Sequence, residues 1–173
     1  MDEYAVRRLT AVTDAEVAGL AAVLVDCVEG GASVSFMSPL AVERAEAFWR
    51  GVADGVSRGE RALLVAEDGE GIAGTVQLVL GLPENQPHRA DLAKMLVHRR
   101  ARRRGLGGVL LRAAESTARD EGRTVLVLDT VTGGPAERLY AAHGWQRVGV
   151  VPDYALMPDG AYCDTTFFYR ALA

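Results

Sequence analysis

Lysine is nearly missing from this chain of 173 residues: of its 19 basic side chains only Lys94 is a lysine, and the others are arginine. Cysteine is scarce too. Cys27 and Cys163 stand far apart and match no metal-binding spacing such as C-x2-C, so reduced thiols in a cytoplasm are expected. The three histidines, His88, His98 and His143, are scattered, and no metal site is expected. No apolar run approaches the ~18 residues that cross a bilayer. The start, Met1-Asp2-Glu3-Tyr4, is acidic and lacks the basic region of a leader peptide. These absences predict a cytoplasmic protein with no membrane partner. Neither a repeat nor a low-complexity linker divides the chain, so one domain over 1–173 is expected.

The remainder is an ordinary globular balance, 49% hydrophobic and 24% charged. A chain of this length buries enough surface to need no disulfide or metal staple. Tyr4–Leu9 reads as a strand. Thr13-Asp14 offers a helix cap, and Val17, Leu20, Ala21 and Leu24 recur at helical spacing up to Gly30-Gly31. Gly30–Ser38 breaks the pattern, and Pro39 opens a second helix through Ala53 with Val42, Ala45 and Trp49 as its stripe. Arg61–Glu67 and Ile72–Leu80 read as strands joined at Asp68-Gly69, a hairpin signal. Ala90–His98 is a further strand. Gly105–Gly122 reads as a helix with Leu106, Val109, Leu110, Ala113 and Thr117 on one face and Glu115 paired with Arg119. Thr124–Leu128 is a strand, Pro135–His143 a short helix, and Trp145–Val150 and Cys163–Arg170 the last strands. This order predicts an α/β (α+β) fold, a mixed and mostly antiparallel sheet flanked by helices.

The formal charge of −4 hides a dense knot, Arg99, Arg100, Arg102, Arg103 and Arg104, between a strand and a helix. Gly105, Gly107 and Gly108 follow it. Glycines at a helix N-terminus let backbone N–H groups approach an anion, and the helix end adds a partial positive charge, so this is a phosphate site. Neither a Walker A sequence nor the Rossmann glycine spacing is present. Nucleic acid is the rival ligand for a basic block. The rest of the chain is acidic and no aromatic residue interleaves with the arginines, so no nucleic-acid partner is expected.

Arg102-Arg103-Arg104-Gly105-Leu106-Gly107 resembles the R/Q-x-x-G-x-G/A pyrophosphate loop of the GNAT family of N-acetyltransferases. That resemblance implies the GNAT fold and acetyl-CoA as cosubstrate, with no metal. The backbone from Arg103 to Gly108 would hold the pyrophosphate, with Arg102, Arg104, Leu106 and the glycines completing the loop. Met95, Leu96 and Val97 would pair by backbone with the pantetheine arm. It also places Tyr140, in Ala136–Tyr140, beside the thioester sulfur as general acid. Many members carry asparagine seven residues before that tyrosine; here the position is Gly133, and no cofactor role is assigned to it. Homodimers are common in the family, though no segment demonstrates one.

Within the family, the Gly30–Met37, Arg89–Asp91, Leu128–Thr130, Arg147–Gly149 and Pro158–Gly160 segments are similar to the tabtoxin-resistance acetyltransferases. That likeness points to acidic residues, Asp91 and Asp129, at the amine end. The group carries glutamate where this chain has Asp91. Both carboxylates suit a cationic amine and can pass on its proton through water. Ser33, Val34 and Phe36, in a loop expected to be mobile, are candidates for the acceptor pocket, with Asp153 and Tyr154 at its rim. The expected activity is direct acetyl transfer to the primary amine of a small molecule, such as a tabtoxinine-β-lactam-like toxin. The alternatives are a protein N-terminal or lysine acetyltransferase and a non-catalytic CoA-binding sensor.

Overall fold

The computed structural model describes residues 4–173; Met1–Glu3, on which the reading of the N-terminus partly rests, lie outside them. The elements run β1 (Ala5–Leu9), α1 (Asp14–Glu29), α2 (Val42–Ser57), β2 (Arg61–Asp68), β3 (Gly71–Val79), β4 (Arg89–Val97), one 3₁₀ turn (Arg99–Ala101), α3 (Leu106–Asp120), β5 (Val125–Val131), α4 (Pro135–Ala142), β6 (Gln146–Leu156) and β7 (Tyr162–Ala171).

Local chemistry explains the boundaries. Thr13 closes a capping box on α1: its hydroxyl accepts from the Glu16 backbone N–H, and its own N–H donates to the Glu16 carboxylate. Pro39 does not open α2. The chain bends at Ser38 and Pro39, Leu40 is buried, Ala41 is extended, and the helix starts at Val42. Val42 is exposed, so the buried stripe is Ala45, Trp49 and Val52. On α3 the buried face is Leu106, Leu110, Leu111, Ala114 and Ala118, rotated from the expected one, and Val109 faces outward. Glu115 makes no pair with Arg119. It turns inward to accept the Trp145 indole N–H at 3.0 Å and lies 3.8 Å from Arg170.

The strands form a seven-stranded sheet ordered β1-β2-β3-β4-β5-β7-β6. Every neighbouring pair is antiparallel except β4–β5. The period-2 pleat sorts the two layers. Ala62, Leu64 and Ala66 of β2 pack with α3, whereas Leu63 and Val65 pack with α1 and α2. This is the mixed, mostly antiparallel sheet expected. Two strand ends differ by more than one residue: β5 continues past Asp129 to Val131, and β6 takes in Asp153 and Tyr154 through a register shift between Val151 and Ala155. Among the described residues no helix is long and apolar enough to cross a membrane.

Two irregularities in β4 position the site. Its pairing with β5 covers only Arg89↔Val125, Ala90↔Leu126 and Asp91↔Val127, after which the strands diverge. Against β3, Thr75 faces Leu96 but Gln77 faces Ala93, so β4 carries one extra residue. The bulge lies at Lys94, whose φ is +50°. Its effect is visible in the packing: Leu92 belongs to the α3 layer and Leu96 to the α1–α2 layer.

Candidate active site

A cavity of about 560 Å³ occupies the gap between the diverging strands. Met95, Leu96 and Val97 line one wall; Asp129, Thr130, Val131 and Tyr140 line the other. Arg102 and Gly107 close one end, and Ser33, Val34, Ser35 and Met157 the opposite end.

At the first end α3 begins at Gly105, which has φ +77° and no side-chain cap. The first-turn N–H groups therefore lack helical partners, and they sit at the positive end of the helix dipole. Gly107 and Gly108 serve packing as well as access. A Cβ on Gly107 would lie 3.1 Å from Leu139 Cδ2, and one on Gly108 would lie 2.8 Å from His143 Nε2. Gly108 and Leu106 are buried, so side-chain contact with a ligand falls to others.

The arginine knot divides into two groups. The Arg99 backbone N–H donates to Asp26 Oδ2 at 2.9 Å, and its guanidinium pairs with the same carboxylate. Arg102 Nε donates to the Val97 carbonyl at 3.1 Å, with its Nη2 3.8 Å from Asp26. Arg100 pairs with Asp68 at 3.1 Å. These three hold the loop on α1 and on the β2–β3 hairpin. Burial pulls the Asp26 carboxyl upward, but the Arg99 N–H and guanidinium and the His98 charge more than reverse this and leave it below the usual range. Arg103, with φ +60°, and Arg104 are exposed beside the start of α3.

On the β5 side Tyr140 is buried against Trp145 and Phe168, with ring centroids 5.7 and 6.0 Å away. Burial, and secondarily the Asp129 charge, push its phenol well above the ordinary value. Asp129 is exposed into the cavity, with Thr165 Oγ1 3.4 Å from its carboxylate. Tyr140 and Asp129 are thus brought together. Asp91 is not on the cavity wall; it makes an ion pair with Arg89. Gly133 has φ +80° and its N–H is held by the Glu137 carboxylate.

Two hydrogen bonds tether the 30–38 segment. Ser33 Oγ donates to the Leu156 carbonyl at 2.8 Å, and the Ser38 N–H donates to the Pro158 carbonyl at 3.1 Å. Ser33 and Val34 reach the cavity, but Phe36 does not; it packs edge-on against Phe48 at 5.2 Å. Tyr154 packs on Phe167 and Asp153 stands in β6, both off the wall. Lys94 and Met157, which the sequence reading passed over, do reach it. The one available signal for Lys94 was its isolation among arginines.

The residues fit acetyl-CoA: an uncapped helix start for the phosphates, and unpaired strand backbone for an extended amide chain. Comparison with known proteins agrees. The family model for the acetyltransferase (GNAT) family matches residues 32–145. An uncharacterized N-acetyltransferase in the hisH-hisA intergenic region of Azospirillum brasilense is 34% identical over 131 residues, 75% of this chain and 76% of that protein. An N-acetyltransferase from Staphylococcus aureus superposes with a TM-score of 0.80 at 16% identity, covering 98% of this chain and 99% of the other. The yncA structure from Salmonella typhimurium with its cofactor acetyl-CoA superposes at 0.79 and 19% identity, covering 99% and 95%. The chain belongs to the GNAT family of acetyltransferases and is an acetyl-CoA-dependent acyltransferase.

Proposed function

We propose that the protein transfers acetyl from acetyl-CoA directly to the primary amine of a small, amino-acid-like molecule, a tabtoxinine-β-lactam-like toxin being the model acceptor. The observation that carries this reading is one cavity that joins the uncapped start of α3 to the Asp129–Tyr140 pair and ends under a tethered loop. Ser33, Val34 and Ser35 of that loop line this end of the cavity, and a lined pocket favours a small molecule over a protein N-terminus or lysine.

Bound acetyl-CoA supplies an activated acetyl group: the amine nitrogen bonds to its carbonyl carbon as the C–S bond breaks. The Arg103–Gly108 backbone, with Arg104, holds the phosphates. The backbone of Met95, Leu96 and Val97, left without β5 partners, orients the pantetheine amides. Asp129 holds the cationic amine and takes its proton through water, leaving a nitrogen lone pair to attack. The raised pKa keeps Tyr140 protonated; it delivers that proton to the departing sulfur and is reprotonated by the second proton that the acetylated nitrogen sheds. No enzyme nucleophile is needed: burial pushes the Cys27 thiol up, against the opposing pull of Arg102, so it stays protonated. Removing the amine's positive charge would abolish recognition of a toxin by its target.

A screen of small amines with acetyl-CoA, read by the mass gain of one acetyl group, tests the reading. Acetylation of several small amines supports it; acetylation confined to peptides or proteins overturns it.

A further inference from the structure

The proposed transfer employs Asp129 and Tyr140 and leaves Lys94 without a task. Among the described residues lining the cavity, the charged side chains are Arg102, Asp129 and Lys94. Arg102 belongs to the phosphate end and is engaged by Val97 and Asp26. Lys94 and Asp129, of opposite sign, remain at the acceptor end.

The position of Lys94 is built. In a regular strand residues two apart share a face, so Lys94 would follow Leu92 into the apolar layer under α3. The bulge prevents this and turns Lys94 towards the other face. There its Nζ donates to Ser35 Oγ at 3.1 Å and lies 5.6 Å from the centroid of the Phe48 ring. An ammonium has three N–H donors, and Ser35 accepts one. Asp129 acts on it through space without forming an ion pair. A half-buried cation that lacks a carboxylate partner among the described residues is a site for one brought by a ligand. Burial lowers its pKa, which an arriving anion would restore. The pantetheine arm is uncharged and the phosphates belong at α3, so the anion belongs to the acceptor.

We propose that Lys94 binds a carboxylate of the acceptor, so that the acceptor is a zwitterion held by its amine at Asp129 and by its carboxylate at Lys94. This rests on the small-amine reading above and sharpens it to amino acids. Lysine suits the task because it offers a compact point charge on a flexible stem, where arginine would bring a wide planar fork.

The test compares free amino acids with their methyl esters as acceptors, in the wild-type enzyme and in Lys94→Met, with circular dichroism and a thermal melt to confirm folding. The wild type should prefer the acid over its ester by about 10-fold or more in kcat/KM, about 1.4 kcal/mol for each factor of ten. Lys94→Met should collapse that ratio, chiefly through KM for the acid. Equal use of acid and ester by the wild type overturns the carboxylate site, whether or not the variant folds. An unchanged ratio in a folded Lys94→Met protein also overturns it, while the small-amine reading stands. If no small amine is acetylated, both fall.

Discussion

Tyr140 and Asp129 reach the same cavity from α4 and β5, and they can be separated by their kinetics. Tyr140→Phe keeps the aromatic packing on Trp145 and Phe168 but removes the proton donor. Turnover should fall by about 10²-fold or more, with acetyl-CoA affinity nearly unchanged; steady-state rates and calorimetric titration measure the two. Asp129→Asn should lower kcat/KM for the amine by about 10-fold or more, because its carboxylate lies on the cavity wall. Asp91→Asn provides the contrast: wild-type kinetics there would remove Asp91 from the chemistry and leave it as the partner of Arg89. Tyr140 was singled out by the family resemblance alone; the structure adds its place on the cavity wall. Lys94 was legible only as an oddity. Its orientation depends on a backbone bulge, and local residue preferences do not reveal where a strand gains a residue.

Among the elements, the arginine–glycine loop shows how a conspicuous motif divides its labour. The sequence marks five arginines and a glycine run, but not which arginines are structural. That is decided by Asp26 on α1 and Asp68 on β2, far away in sequence. The loop's attachment should respond to acid. Since the Asp26 carboxyl lies below its unfolded value of about 3.9, its contribution is complete above that pH. It is lost as the pH falls through the lower folded value. Thermal melts between pH 7 and pH 2 should show Asp26→Asn less stable at neutrality and less sensitive below pH 4 than the wild type; parallel curves would contradict this. The capped helix α1, and β2 and β3 on either side of the Asp68-Gly69 hairpin signal, fall within a residue of where their sequence puts them. The α3 stripe does not: small residues such as Ala114 and Ala118 pack against the sheet as readily as Val109 or Thr117 would, so composition cannot phase the helix.

For the whole molecule, the fold class followed from the order of elements, while the gap in the sheet did not. Parallel pairing of β4 with β5 through α3 is foreseeable from a strand–helix–strand unit. The point where they part is a tertiary property. Binding that engages both flanks should stabilise them together: acetyl-CoA at about 100 times its Kd should add roughly 2.7 kcal/mol, about 5–10 °C in Tm for a chain of this size. A melt unmoved by acetyl-CoA would contradict the assignment of this cavity to the cosubstrate.

The three β4–β5 residue pairs are the spine on which this sheet turns. One leaf holds β1 to β4 and the other holds β5 to β7. A ligand whose own amides lie between the leaves completes the hydrogen-bond ladder that the polypeptide leaves unfinished. In amide hydrogen exchange the two leaves of the free protein should therefore open as separate units, with different rates. When acetyl-CoA is bound they should become slow together, so that part of the enzyme's cooperativity is carried by its cosubstrate and departs with the product.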